Sequence, residues 1–446
     1  MENLPLDPVF YNILSEFADC FTAPSFANFI IVACGWIQCV NRRTITGMIE
    51  AAGVADKIHH ERFHRLFSRG RFEVDELSKI LFLMIVERFI PEGEVIKLGG
   101  DDTLAKKTGR KIFGAGYFRD AVLSTKAKTV TRWGLNFVVL SIVLRFEIWP
   151  GRDLSFPFMV RLHPKQSSYK NAKDYKTTPQ LLTDMVAIVA SWLPKRKFEL
   201  SVDGGYANEV VAQNLPKNVS MVSRTRSDAT LYDLKPAPTG KQGRPSKKGN
   251  KQPKPREMAI SPKVEWTPIT VMLYGEEMVL EVASWVGLWY KVAKSTPLRF
   301  VLVRKPDDHS DWICLFSTDV TMSVVSIVLA FGGRWSIETA FYETKQYLGI
   351  EQPQSRKQKA VERLFPLGML LLSLVKFWFI TYGINSQFAR IHRGPWYLKK
   401  TEPAFSDMLA ALRRAGWANR FSLNSASNAE LQKIVELLTD RLARAA

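Results

Sequence analysis

Two apolar runs that each end in aspartate restrict this chain more than any other feature. They are Val95–Asp102 (VIKLGGDD) and Phe198–Asp203 (FELSVD), both of strand length and followed by turn or polar residues. Between them lie two more β-rich runs, Trp133–Phe146 and Phe156–Leu162. Thr178-Pro179 then opens a helix to Trp192, a capping residue followed by proline. After Asp203 a short helix near residues 208–213 leads to the strand Val219–Arg224. The order strand-strand-strand-helix-strand-helix-strand predicts an α/β fold in which the first and fourth strands are neighbours. Asp102 and Asp203 are expected at the adjacent ends of those two strands.

A third acid lies far downstream, in Phe331–Ile350 (FGGRWSIETAFYETKQYLGI), which reads as one helix. Arg334, Glu338 and Lys345 recur at offsets of four and seven and fall on one narrow stripe. Ile337, Phe341 and Leu348 flank that stripe, and Trp335 is expected to anchor the helix in the core. Alone, such a stripe is an ordinary helix-surface ion pair. With Asp102 and Asp203 it becomes three acids, distant in sequence and held on rigid elements. Two-metal phosphoryl transfer needs such a set of shared oxygen ligands. Asp101 adjoins Asp102 and points to the opposite face of its strand.

These residues carry a resemblance. Asp102-Thr103, Asp203-Gly204-Gly205-Tyr206 and Arg334-Trp335-Ser336-Ile337-Glu338 with Lys345 are similar to the DDE transposases of bacterial insertion sequences. The group is the one marked by Tyr-x2-Arg-x3-Glu-x6-Lys. Here Phe331 stands at the tyrosine position and cannot supply a phenolic hydroxyl. The resemblance implies an α/β fold with an RNase H-like catalytic core interrupted by an all-β insertion, between helical N- and C-terminal regions. It implies that Asp102, Asp203 and Glu338 bind two Mg²⁺ ions, which Mn²⁺ is expected to replace, and catalyse DNA strand cleavage and transfer. Asp102 is preferred over Asp101 because the motif sets the metal-binding aspartate directly before threonine. The expected function is cut-and-paste transposition on double-stranded DNA, both transposon-end inverted repeats and target, by a homodimer in the DNA complex. A non-transposing nuclease and an inactive DNA-binding relative are the alternatives. The group also cuts through a hairpin intermediate and stacks a flipped base on an aromatic of the β-insertion, for which Trp266, Trp285, Trp289 and Trp312 are candidates.

The DNA-binding set is expected to be Arg334 and Lys345 on the stripe, Arg224 and Arg226 after the fifth strand, and Lys247 and Lys248. The last two belong to Lys235–Arg256 (KPAPTGKQGRPSKKGNKQPKPR), a run too rich in Pro, Gly and Lys to build a core. It is expected to be a mobile basic loop, and its Gly243-Arg244-Pro245 resembles a minor-groove hook. A formal net charge of +19 favours a polyanionic partner in general, through counterion release. Trp266–Phe316 reads as antiparallel hairpins, with Asp307, Asp308, His309 and Asp311 at a solvated tip.

Four regions are expected: a helical, helix-turn-helix-like DNA-binding region over 1–90, the core over 91–230 and 317–385, loop and insertion over 231–316, and a helical end over 386–446. In the first, Arg42–Ala52 and Ala55–Phe67 flank a turn at Gly53. His60-Glu61-Arg62-Phe63-His64 matches the HExxH zinc string, but no third ligand follows, so it is read as coincidence. Cys20, Cys34, Cys39 and Cys314 lack metal-ligand spacing and are expected as buried thiols in a reducing compartment. The N-terminus shows no secretion signal. Phe365–Ile380, interrupted by Lys376, is expected as a buried helix and not as a membrane span. A cytoplasmic, nucleoid-associated protein is the expectation.

Overall fold

The computed structural model describes residues 4–120, 122–125, 127–169, 171–236, 246–421, 437–441 and 443. Its centre is a mixed sheet of ten strands, and thirteen α-helices surround it among the described residues. The strands are β1 (Ile96–Lys106), β2 (Gly116–Arg119), β3 (Thr131–Arg145), β4 (Asp153–His163), β5 (Phe198–Val202), β6 (Val219–Arg224), β7 (Thr267–Leu273), β8 (Glu276–Gly287), β9 (Leu298–Lys305) and β10 (Asp308–Ser317). The helices are α1 (Pro8–Ser15), α2 (Ala23–Gln38), α3 (Ile45–Ala51), α4 (Glu61–Arg69), α5 (Val74–Phe89), α6 (Thr178–Trp192), α7 (Glu209–Ala212), α8 (Pro255–Ala259), α9 (Tyr290–Ala293), α10 (Val324–Gly333), α11 (Ser336–Tyr347), α12 (Gln358–Thr381) and α13 (Phe405–Phe421).

The order across the sheet is β2-β3-β1-β5-β6-β10-β9-β8-β7, with β4 also pairing β3. Strand β3 is antiparallel to both β4 and β1, while β1, β5 and β6 run parallel. That is the α/β topology expected from the sequence, with the first and fourth long runs side by side. Two details differ. Strand β1 continues four residues past Asp102, because it keeps pairing with β3 as far as Lys106↔Gly134. Its pairing with β5 stops at Gly100↔Val202, so the two strands part where the aspartates begin. Helix α6 is capped by Thr177, one residue earlier than expected, whose backbone N–H bonds Gln180 Oε1 at 2.8 Å.

Strands β7–β10 form the hairpins read from Trp266–Phe316, and they do not stand apart from the central sheet. Strand β10 pairs with β6 through Leu315↔Arg224 to Ser317↔Val222, so one continuous sheet results. The basic run is only partly open. Residues 237–245, including Gly243-Arg244-Pro245, lie outside the described residues. The rest is pinned back: Tyr232 bridges Lys251 and Leu288, and Pro255 starts α8.

Both faces of the sheet are covered, which is why β3 is buried over Gly134–Val143 without alternation. On one face Phe365 of α12 stacks on Phe137 of β3 at 3.9 Å between ring centroids. Helix α12 is the apolar segment Phe365–Ile380 extended at its start, and it is packed inside the protein as a core helix. Its Lys376 is 1% exposed and meets Glu343 of α11 at 2.6 Å. The four cysteines are buried free thiols. In the N-terminal helices the turn at Gly53 holds, with φ at 72°. The helix after it starts only at Glu61, since residues 54–60 form successive turns.

Candidate functional site

The expected helix over Phe331–Ile350 tightens at Arg334 and Trp335, whose backbone angles stay helical. Helix α10 ends at Gly333, Arg334 and Trp335 form a turn, and α11 begins at Ser336. The adjacent Gly332 and Gly333 lower helix propensity there. Gly332 also allows close approach, since a Cβ would meet Leu273 Cδ2 at 2.4 Å. Trp335 at this turn is 52% exposed, so it is not the core anchor expected from the sequence.

One cleft of about 730 Å³ collects the acids: Asp101, Asp102, Asp203 and Glu338 line it together with Arg334 and Lys345. Strand β1 presents the first two on opposite faces, as the pleat requires. Asp101 turns toward α11 and bonds Arg334 Nη1 at 2.9 Å; the same nitrogen stands 3.2 Å from Glu338 Oε1. Asp102 turns the other way. Its Oδ1 accepts from the Tyr206 hydroxyl at 2.8 Å and its Oδ2 from Asn136 Nδ2 at 3.0 Å. Asp203 leaves β5 just as that strand ends, and its carbonyl accepts from the Ser223 hydroxyl at 3.1 Å, which holds the backbone of the turn.

The electrostatics follow first from burial and then from crowded like charges. Burial pushes Asp101 up to about 7 against the pull of Arg334, with Asp102 and Glu338 adding to the rise. Glu338 is also raised, first by burial and then by Asp203, while Arg334 opposes. Burial lowers Lys345, whose Nζ donates to the Leu104 carbonyl at 2.9 Å.

Arg334 is 8% exposed and engaged by two carboxylates. Arg224 ends β6 in the open, and Arg226 pairs with Asp228 at 3.0 Å on the surface. Lys248 stands 3.7 Å from the Tyr232 ring centroid, and the Lys247 carbonyl accepts from Ser295. Neither Lys247 nor Lys248 lines the acidic cleft. Of the tryptophans, Trp289 is buried, Trp285 stacks on Phe300, Trp266 lies under Arg304 and Trp312 is partly buried. Open aromatics on the cleft are Trp335 and Tyr342, and Tyr274 at the β7–β8 turn is open beside it.

Sequence reasoning missed Asn136, Arg119 and Asp120, which line the same cleft. No motif marks them, since β3, the end of β2 and the residue after it bring them there. Tyr206 had a signal, as part of the quoted Asp-Gly-Gly-Tyr. Burial raises its hydroxyl well above the usual range, and the neighbouring carboxylate of Asp102 adds to that. Tyr206→Phe is expected to cost about 1 kcal/mol, the worth of a hydrogen bond to a partly exposed carboxylate. Urea unfolding of the two proteins measures it, and superimposable curves would show that the bond contributes nothing.

Whether this cleft suits a divalent cation is a question of donor chemistry and spacing. Its donors are hard carboxylate oxygens, the kind Mg²⁺ and Mn²⁺ take. Burial first and neighbouring carboxylates second raise Asp101 and Glu338, and a cation relieves both. Among the described residues no three acidic, imidazole or thiol groups stand close enough to enclose an ion. The set fits in kind and converges on one cleft without closing around a point. The HExxH histidines stay outside it: His60 precedes α4, His64 lies within it, and their rings meet edge-on at 5.8 Å.

No curated protein sequence matches the chain. Among solved structures, it is similar to a piggyBac transposase in a synaptic complex with hairpin DNA, seen by cryo-electron microscopy. The identity is 10%, 94% of this chain and 76% of that chain are covered, and the TM-score is 0.40. The model of the family described as DDE superfamily endonuclease matches residues 16–273, a stretch that contains Asp101, Asp102 and Asp203 and ends before Glu338. Because the match spans more than half of the 446 residues, this chain belongs to the DDE superfamily endonuclease family.

Proposed function

We propose that the protein is a transposase that cuts double-stranded DNA at the ends of an insertion sequence and joins them to a target. The observation that carries this reading is the convergence of Asp102, Asp203 and Glu338, from three distant segments, on one cleft that also contains Arg119, Lys106 and Lys345. Acids and cations side by side in one cleft are the complement of a phosphodiester at which negative charge develops.

Asp102, Asp203 and Glu338 would hold the metal ions, with Asp101 beside them. Two divalent cations, when bound, supply a deprotonated attacking oxygen and stabilisation of the leaving one. The chain's own residues do the rest. Tyr206 and Asn136 fix the two oxygens of Asp102. Arg334 keeps Asp101 and Glu338 apart in charge though close in space. Lys345 and Lys106 face the cleft as point charges for the flanking phosphates. Trp335, exposed on the cleft wall, offers a stacking surface inside the cleft, which none of the four hairpin tryptophans lines.

The test separates the alternatives by product. Incubation with a duplex carrying the flanking inverted repeats and a plasmid target, in Mg²⁺ or Mn²⁺, is expected to give both cut ends and joined products. Chelation with EDTA should stop both, and adding back either cation should restore them. Cutting without joining would make the protein a simple nuclease. Cleavage that continues in EDTA would overturn the metal assignment.

A further inference from the structure

A second basic groove lies away from the acids, between the N-terminal helices and the segment that leads into α12. It has a volume of about 450 Å³, and its walls include Arg65, Arg69, Arg356, Lys357, His64 and Thr46. These side chains are exposed. The one acid in the lining is Glu61, which pairs with Arg65 at 3.5 Å, also in the open. Arg69, Arg356 and Lys357 have no ion-pair partner among the described residues. Lys357 is also the N-cap of α12, a helix of 24 residues, so the free N–H groups of a long helix open at the same place.

The groove is joined to the acidic cleft by the chain itself. Lys107 Nζ donates to the carbonyls of Glu351 and Pro353 at 2.6 and 2.9 Å, and Phe113 N–H to the carbonyl of Arg356 at 3.1 Å. The loop so fastened carries Arg110 and Lys111 in the open. At its start Lys106 lines the acidic cleft beside Lys345. Exposed cations therefore run from the acids, over the loop 106–113 and the segment 353–357, to α4.

We infer that this groove binds the phosphate backbone of duplex DNA outside the segment that occupies the acidic cleft. The inference rests on the reading of the cleft as a DNA-cutting site. Scattered unpaired cations with hydroxyls and free backbone N–H groups suit a chain of phosphates, which are met one by one as point charges and hydrogen-bond acceptors. The groove fixes where DNA lies relative to the cut. It does not read bases.

The experiment compares wild type with a variant carrying Arg65→Gln, Arg69→Gln, Arg356→Gln and Lys357→Gln. Fluorescence anisotropy is measured over a range of salt, without divalent metal, on a random-sequence duplex of about four helical turns, roughly 40 bp. Each lost phosphate contact should remove about 0.9 from the log–log salt slope, so the slope should shrink by roughly 2 to 4 and affinity near 0.1 M salt should fall about tenfold or more. In wild type, the same duplex should slow hydrogen exchange at the amides of α4 and of residues 353–360. That second measurement holds even if the variant folds poorly. An unchanged slope and affinity, or amides that exchange as fast with DNA as without, would overturn the groove. Because no metal is present, this outcome is independent of cleavage. A wild type that never cuts DNA would sink the reading of the cleft and leave the groove standing, and a cutting enzyme with a silent groove would do the reverse.

Discussion

Glu338→Gln is expected to abolish metal-dependent DNA cleavage, by roughly 10³-fold or more, while leaving the fold intact. The two consequences separate because of where the side chain sits. Glu338 is 36% exposed and its partner Arg334 keeps a second carboxylate, Asp101, at 2.9 Å. Removing its charge therefore strands nothing, and the ion pair it loses is worth at most about 0.5–1 kcal/mol at that exposure. The catalytic loss has the opposite character, since a neutral amide cannot supply an anionic ligand where a cation must be held. Asp203→Asn should behave the same way, because Asp203 leaves β5 in the open and is fixed through its backbone carbonyl by Ser223. Rates on a duplex substrate in Mg²⁺, with urea unfolding alongside, decide the matter. Either variant cutting at the wild-type rate would remove these carboxylates from the chemistry.

Lys376→Met should be the most destabilising single change in the helical layer, at about 3–5 kcal/mol. Lys376 and Glu343 are 1% and 5% exposed, and they meet at 2.6 Å between α12 and α11. Burial pulls the lysine down from its usual range, while the Glu343 carboxylate holds it up. Its Nζ also donates to the Ser155 carbonyl of β4 at 3.1 Å, so one charge fastens two helices to the sheet. Deleting it leaves Glu343 buried and uncompensated, and that penalty exceeds the value of the pair itself. The double variant Lys376→Met with Glu343→Gln should recover part of the loss. A single variant that unfolds within about 1 kcal/mol of wild type would show that water reaches this pair. Since Glu343 lies on the same helix as Glu338, a loosened pair should also slow cleavage in protein that remains folded.

The wide apolar run of α12 was legible in the sequence as a core helix because Lys376 interrupts it. Its partner was not legible, since nothing local to Glu343 marks it as buried. The hairpins β7–β10 were legible from alternation and turn residues. That β10 would join β6 was not, because pairing between distant strands is set by which edges the packed layers leave open. The basic run reads as loose by composition, yet its second half is tied down through Tyr232 and Leu231 in backbone bonds that composition does not report.

The sequence by itself determined the order of strands and helices, and with it the adjacency of β1 and β5 and the meeting of three acidic segments. Period and turn chemistry are local properties, so they can be read residue by residue. What only the tertiary structure decided is which way each group faces. The pleat sends Asp101 to Arg334 and Glu338 and sends Asp102 to Tyr206 and Asn136. At the turn after Gly333, Trp335 is exposed and Arg334 is buried between two acids. The reason is that orientation depends on the partners found across the sheet and on the helix packed above it. Those partners are up to 233 residues away, as in the Asp101–Arg334 bond, and no local pattern encodes them.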